Sequence, residues 1–309
     1  MKITRPDFYD SFKCIASACT DSCCIGWKIY IDEFTESIYD GITVSFGEKL
    51  RENIAHEEDG SAYFKMNGKR CPFLNENNLC DIFIELGENY LCDICTYHPR
   101  FFNYYGDLRE EGLGLSCEEV ARIMLTREDP IKFVNLEDDE EGDELDISVE
   151  ELNNRLAKRD ELIKTARNRE LNIEDRMKAL CADMPSDKEI LEIYRSLESM
   201  EEKYPQLLNS AVEKLSDKKD LSTYEKDFEH ILVYMLFRYY LEDNGEAWNG
   251  ENNIRLAMSF TELCRLCYNA VLCEKGELTL ADRIDIVKCL SKNIEYSDIN
   301  IENLTEKLS

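Results

Sequence analysis

Beyond residue 148 the apolar positions follow a helical pattern, and Val, Ile and Thr never alternate with polar residues over any useful length. The stretch DFEHILVYMLFRYYLED, residues 227–243, is apolar nearly all round, which predicts a central, buried helix. Around it, helices are expected near 150–180, 187–215, 252–274 and 280–293. Ser148 with Glu151, Ser186 with Glu189 and Ser222 with Glu225 have the spacing of a capping box, in which each side chain satisfies a free N–H of the first turn. Pro185 and Pro205 punctuate the second of these helices, and Asn244-Gly245 marks a turn. The region 149–309 therefore reads as all-α.

The first 130 residues read differently. Short apolar stretches are broken by GKRCPFLNENN, YHPRFF and GLGLS, and no long periodic segment emerges. Between the two regions lies LEDDEEGDELD, residues 136–146, with eight acids in eleven positions. Charges this dense repel one another and stay solvated, so 131–148 is expected to be an acidic linker or loop. The fold class that follows is mainly α, with an irregular cysteine-rich metal-binding region (1–130) ahead of an all-α helical region (149–309).

Composition narrows the function. Apolar residues at 43% and aromatics at 10% describe a globular chain, and 309 residues suffice for a large core. The net charge of −28 excludes a nucleic-acid backbone as partner and disfavours an anionic membrane surface. The start, MKITRPDFYDSFKC, has no apolar run that would serve a secretory signal, and 231–241 is too short to span a bilayer and contains Arg238. A cytoplasmic location is expected, where thiols stay reduced. Fourteen cysteines in that setting point to metal chemistry rather than to a disulfide framework.

Nine of the fourteen precede residue 118: Cys14, Cys19, Cys23 and Cys24, then Cys71, Cys80, Cys92 and Cys95, then Cys117. Adjacent cysteines rarely bridge each other, because a disulfide wants Cα atoms ~5.5 Å apart and neighbours sit at ~3.8 Å. Short pairs let one loop supply two thiolates to a metal, and distant cysteines close the site. Both zinc and a 4Fe–4S cluster take such ligands, and the spacing does not separate them. Cys264, Cys267, Cys273 and Cys289 lie on expected helical faces and are read as packing residues.

The segments FKCIASACTDSCCIGWKIYID, CPFLNENNLCDIFIELGENYLCDICTYHPRFF and GLGLSCEEVAR resemble the flagellin lysine-N-methylase family. The resemblance continues through DFEHILVYMLFRYYLED and NIRLAMSFTELCRLCYNAVL, and the N-terminal pattern is also similar to zinc- or iron-chelating cysteine domains with a CC pair. It implies a methyltransferase acting on flagellin lysines, with an iron–sulfur cluster, 4Fe–4S in type, and S-adenosylmethionine as methyl donor. It implies, too, that CTDSCCIGW is a ligand loop. No G-x-G-x-x-G opens a strand-to-helix unit, so the doubly wound methyltransferase fold is not expected.

Methylating a lysine requires removing a proton from an ammonium with pKa ~10.4 and holding the methyl carbon in line with the amine. TYHPRFFNYYGD, residues 96–107, is the candidate pocket: His98 and Arg100 for the donor, Tyr104 and Asp107 for the proton, Tyr105 as an aromatic wall. Arg100 suits the donor carboxylate through its planar fork. Trp27 reads as a core residue shielding the metal, and His56 and His230 carry no role. The competing reading is a non-catalytic zinc- or iron-binding protein whose acidic helices bind a partner.

Overall fold

In the computed structural model the stretch expected to be the central helix spans Glu225–Tyr239, and Asp227 to Phe237 together with Tyr239 are buried on it. The structure describes residues 1–139, 141–142, 144–243 and 248–309. Gly250–Lys275 and Val149–Ala166 pack directly on this helix, and Leu280–Glu295 packs on Gly250–Lys275 and on Glu118–Leu125. Burying a large apolar side chain is worth ~1.5–3 kcal/mol, so a helix apolar on every face belongs in the middle.

The expected 150–180 helix is two, Val149–Ala166 and Ile173–Leu180, because Asn172 starts the second by accepting the Asp175 N–H. Likewise 187–215 divides into Asp187–Arg195 and Lys203–Glu213, with Pro205 in the first turn of the latter, where its missing N–H costs no helical bond. Ser186 and Glu189 form the full capping box, and Ser148 accepts the Glu151 N–H. Ser222 does not cap: it opens the 3₁₀ turn Ser222–Tyr224, its own N–H held by Asp220, and Glu225–Tyr239 begins without a side-chain cap. A last helix, Asp298–Lys307, follows Ser297, which supplies its cap. Among the described residues, 149–309 contains no strand, and no helix is long and apolar enough to cross a membrane. The turn expected at Asn244-Gly245 lies outside the described residues, as do Glu140 and Asp143 of the acid run.

Strands absent from the sequence reading form a four-stranded sheet in the order Arg100–Tyr105, Leu108–Leu113, Lys2–Pro6, Phe133–Glu137. Lys2–Pro6 runs parallel to Leu108–Leu113 (Thr4 beside Glu110) and antiparallel to Phe133–Glu137 (Lys2 beside Glu137). Leu136 and Glu137 of the acid run are thus in a strand, and the Met1 amino group donates to the Asp138 carbonyl at 2.8 Å. Contacts divide the chain into Lys13–Phe101 and a larger unit of Met1–Phe12 with Phe102–Ser309. That division differs from the expected 1–130 and 149–309, because the first strand pairs with partners more than a hundred residues away.

The smaller unit holds a three-stranded sheet, Tyr30–Ile31, Ala62–Phe64 and Ile54–His56, with Ala62–Phe64 in the middle. Short helices Glu33–Gly41, Ser45–Glu52, Asp81–Leu86 and Asp93–Tyr97 accompany it. Its core gathers Ile29, Tyr39, Leu50, Phe64, Phe73 and Ile82, with Cys71 and Cys92 among them.

Candidate functional site: a thiol cluster and a cavity

Backbone pairing brings the cysteine loops of the smaller unit together. The Cys71 N–H donates to the Cys24 carbonyl at 2.9 Å and the Gly26 N–H to the Lys69 carbonyl at 2.8 Å, laying CTDSCCIGW along residues 69–71. Gly26 has φ +100°, which a side chain would disfavour. The Asn75 side chain accepts the N–H groups of Asn77 and Leu79, and Asn78 takes a left-handed φ of 55°. The chain folds back at that turn, so that Leu74 bridges Cys80. Asp32 caps Glu33–Gly41 with one carboxylate oxygen (Thr35 N–H, 2.8 Å) and with the other accepts the Asp93 N–H at 2.9 Å, fixing the helix flanked by Cys92 and containing Cys95.

Cys24, Cys80 and Cys95 pack against the core that contains Cys71 and Cys92. A hydrogen bond from Cys23 lowers the Cys24 thiol to about 7 against the cost of burial, with Ser22 and Arg70 helping. Cys95 does the same for Cys92, whose thiol is lowered. Burial pushes Cys71 up to about 12, with further repulsion from Cys24, Cys80 and Cys92. Tyr39 is raised mainly by burial, then by Cys92, Cys95 and Cys80, and its hydroxyl donates to the Tyr90 carbonyl at 2.7 Å. Six thiols (Cys23, Cys24, Cys71, Cys80, Cys92 and Cys95) therefore share one electrostatic neighbourhood.

Among the described residues no three His, Cys, Asp or Glu side chains stand in a ligating arrangement. As donors, soft thiols from separate loops fit zinc or an iron–sulfur cluster. Of the remaining expected ligands, Cys14 accepts the Ala16 N–H and Cys19 donates to the Asp21 carbonyl, both local contacts. Cys117 belongs to the larger unit, at the start of Glu118–Leu125. Trp27 packs against the smaller unit's core and its Nε1–H donates to the Cys23 carbonyl at 2.6 Å. His56 is exposed against Glu36, and His230 is buried between the Met124 and Asp129 carbonyls, its pKa lowered by burial. Cys264, Cys267 and Cys289 are buried in the larger unit, and Cys273, only partly buried, donates to the Asp217 carbonyl.

The segment 96–107 is divided by the unit boundary after Phe101. The His98–Pro99 peptide bond is cis, and His98 and Arg100 both lie in the smaller unit. Tyr104 and Asp107 lie in the larger one, both exposed, with the Asp107 carbonyl accepting the Lys2 N–H. Strand alternation turns Tyr105 the other way: its hydroxyl donates to Glu242, and burial raises the pKa of both groups. Glu110, two strand positions beyond Leu108, is fully buried in a bidentate pair with Arg159 (2.7 Å for Nη1 to Oε2).

The larger unit also contains a cavity of about 370 Å³. One wall is a single stripe of Gly250–Lys275, namely Met258, Glu262, Arg265, Leu266 and Asn269. Facing it are Met177, Cys181, Met184, Ile190 and Leu215, with Lys178, Lys218 and Lys219 also lining it. Arg265 is shared between Glu262 (2.7 Å) and Glu174 (2.6 Å), and burial raises the Glu262 carboxyl. The signal for these residues in the sequence is Glu262 and Arg265, one acid and one base three positions apart among the apolar residues of this helix.

Residues 131–309 match the family model described as FliB lysine N-methylase C-terminal domain. The chain belongs to this family. Flagellar biosynthetic protein FliU of Salmonella muenchen is 32% identical over 135 residues, which cover 41% of this chain and 79% of that protein. The lysine-N-methylases of Salmonella typhimurium and Salmonella choleraesuis are each 32% identical over 135 residues, 41% of this chain. The match spans 33% of the length of each of these two methylases. No solved structure matches the chain.

Proposed function

We propose that this protein is a lysine N-methyltransferase of the flagellar system, with flagellin as substrate and S-adenosylmethionine as methyl donor. The observation that carries the reading is family membership over residues 131–309, supported by relatives named lysine-N-methylase and flagellar biosynthetic protein. The thiols of the smaller unit are proposed to hold an iron–sulfur cluster, with Cys24, Cys71, Cys80, Cys92 and Cys95 as the converging donors. A bound cluster would supply an open iron able to grip the amino and carboxylate ends of the donor. His98 and Arg100, close in sequence to Cys95, are proposed to contact the donor, Arg100 through a bidentate pair with its carboxylate.

The chain's own task is to strip the lysine ammonium of its proton and keep water from the amine. Incubating the anaerobically prepared protein with flagellin and S-adenosylmethionine tests this by mass spectrometry. Flagellin heavier by whole methylene increments on lysines is the expected result. Unmodified flagellin from protein with full metal occupancy would remove the reading and favour a metal-binding module.

A further inference from the structure

The strand Phe133–Glu137 leaves one edge of its sheet open. Its pairing with Lys2–Pro6 is flanked by bonded positions. Met1 and Asp138 exchange both backbone hydrogen bonds (2.8 and 2.9 Å), and the Asp7 N–H donates to the Lys132 carbonyl at 2.8 Å. In an antiparallel pair such positions recur at every second residue. Val134 and Leu136 therefore bond to Lys2–Pro6, and the backbone N–H and C=O groups of Phe133, Asn135 and Glu137 point away from it. Among the described residues no further strand pairs with that side. The strand itself is anchored, Phe133 stacking on Phe237 with ring centroids 4.4 Å apart.

An open edge is a template for another chain, and its surroundings select which. Val134 and Leu136 alternate with the outward-bonding positions and are 38% and 40% exposed, so a strand laid here meets apolar side chains at every second residue. At the Glu137 end the chain exposes Glu137, Asp139 and Glu141, against one lysine, Lys2, in register with Glu137. The Asp138 carboxylate is already paired with Arg109 (3.1 Å), and the exposed Lys132 stands at the opposite end of the strand. The Glu137 end therefore favours cations. A second copy of the chain, itself carrying −28, is repelled by the same charge.

We infer that the edge of Phe133–Glu137 docks an extended segment of another protein, one that alternates apolar residues with lysines, as a fifth strand of the sheet. Backbone bonds to Phe133, Asn135 and Glu137 hold the segment, Val134 and Leu136 receive its apolar side chains, and the acids receive its lysines. Reading that segment as part of the lysine-bearing substrate rests on the proposed methylation; the docking itself does not.

Calorimetric titration of the full chain with an acetylated peptide of alternating lysine and valine, and with its glutamate counterpart, tests it. The lysine peptide should bind and the glutamate peptide should not. N-methylating the lysine peptide at every second residue should abolish binding in one alternation and spare it in the other, because one edge of the probe meets the sheet. Asn135→Pro removes an outward N–H without breaking a bond to Lys2–Pro6, giving up one exposed hydrogen bond from Thr4 (2.9 Å). It should weaken binding by about tenfold or more while circular dichroism stays unchanged. Glu137→Lys with Asp139→Lys should turn the preference toward the glutamate peptide, and this pair decides alone should Asn135→Pro fail to fold. Binding that tolerates N-methylation in both alternations, binding undiminished in both variants, or a wild-type dimer that Asn135→Pro dissociates would overturn the inference. Flagellin methylated at the wild-type rate by Asn135→Pro would detach the docked segment from the substrate and leave the proposed function standing. Peptide binding lost in both variants, with flagellin left unmodified by the wild type under full metal occupancy, would do the reverse.

Discussion

Phe228 in the larger unit and Phe73 in the smaller are both fully buried, yet their surroundings differ. Phe228 packs beside Tyr268 on a helix whose other faces are covered by Gly250–Lys275 and Val149–Ala166. Phe73 packs beside Phe64 and Phe46 in a core whose remaining places are taken by Cys71 and Cys92, with Cys24, Cys80 and Cys95 against it. In the larger unit, long helices bury continuous faces and admit charge as pairs: Glu110 with Arg159, Glu229 with Arg169 and Arg176, Asp227 with Arg283, Glu295 with Arg238. In the smaller, short elements leave less apolar surface to bury, and thiols stand where aliphatic side chains otherwise would. The first design combines continuous apolar burial with paired charges; the second places thiols in a smaller core.

The comparison breaks most visibly at the buried ion pairs. Arg159→Met leaves Glu110 buried without its partner and should cost ~3–5 kcal/mol in urea unfolding. Replacing both, Glu110→Leu with Arg159→Met, should restore most of that loss. A single substitution costing under about 1 kcal/mol would show that the larger unit does not depend on its paired charges.

Proton linkage sharpens the contrast within the smaller unit. Cys24 is held down to about 7 from an unfolded value of 9.0, so its contribution to stability is complete above pH 9 and is lost as pH falls through about 7. Cys71 is pushed up to about 12, so its contribution holds below pH 9 and is lost as pH rises toward 12. Alkylation rates of metal-free protein, followed by mass spectrometry, should reach half their maximum near pH 7 at Cys24 and stay low into the alkaline range at Cys71. Identical profiles at the two residues would contradict the environments described.

A smaller effect concerns helix starts. Ser186→Ala removes half of the capping box with Glu189 and should cost ~1 kcal/mol. Ser222→Ala should cost a few tenths at most, since that hydroxyl caps nothing in Glu225–Tyr239. Equal losses at the two serines, read as shifts in the denaturation midpoint, would mean that the helix start at Glu225 is wrongly drawn.

The helical region was legible because its signals are local. The run at 227–243, the Ser186–Glu189 box and Pro205 each act within a few residues, and helices stand where they point. Lys2–Pro6 was not legible, since its partners, Leu108–Leu113 and Phe133–Glu137, are set by tertiary pairing that no short window contains. The concentration of cysteines ahead of residue 118 was legible, but not the division between the six thiols sharing one neighbourhood and Cys117 in the other unit. Glu262 escaped notice because a charged residue on an amphipathic helix ordinarily faces water, whereas here it lines a cavity together with residues of other helices such as Met177 and Ile190.

Metal analysis of the full chain tests the division of labour most directly. Iron and acid-labile sulfide would be measured on anaerobically prepared wild type, on Cys24→Ser with Cys71→Ser, and on Cys264→Ser with Cys267→Ser. The account predicts iron and sulfide in the wild type, their loss in the first variant and their retention in the second. Loss of equal size in both variants, or zinc in place of iron in the wild type, would contradict it.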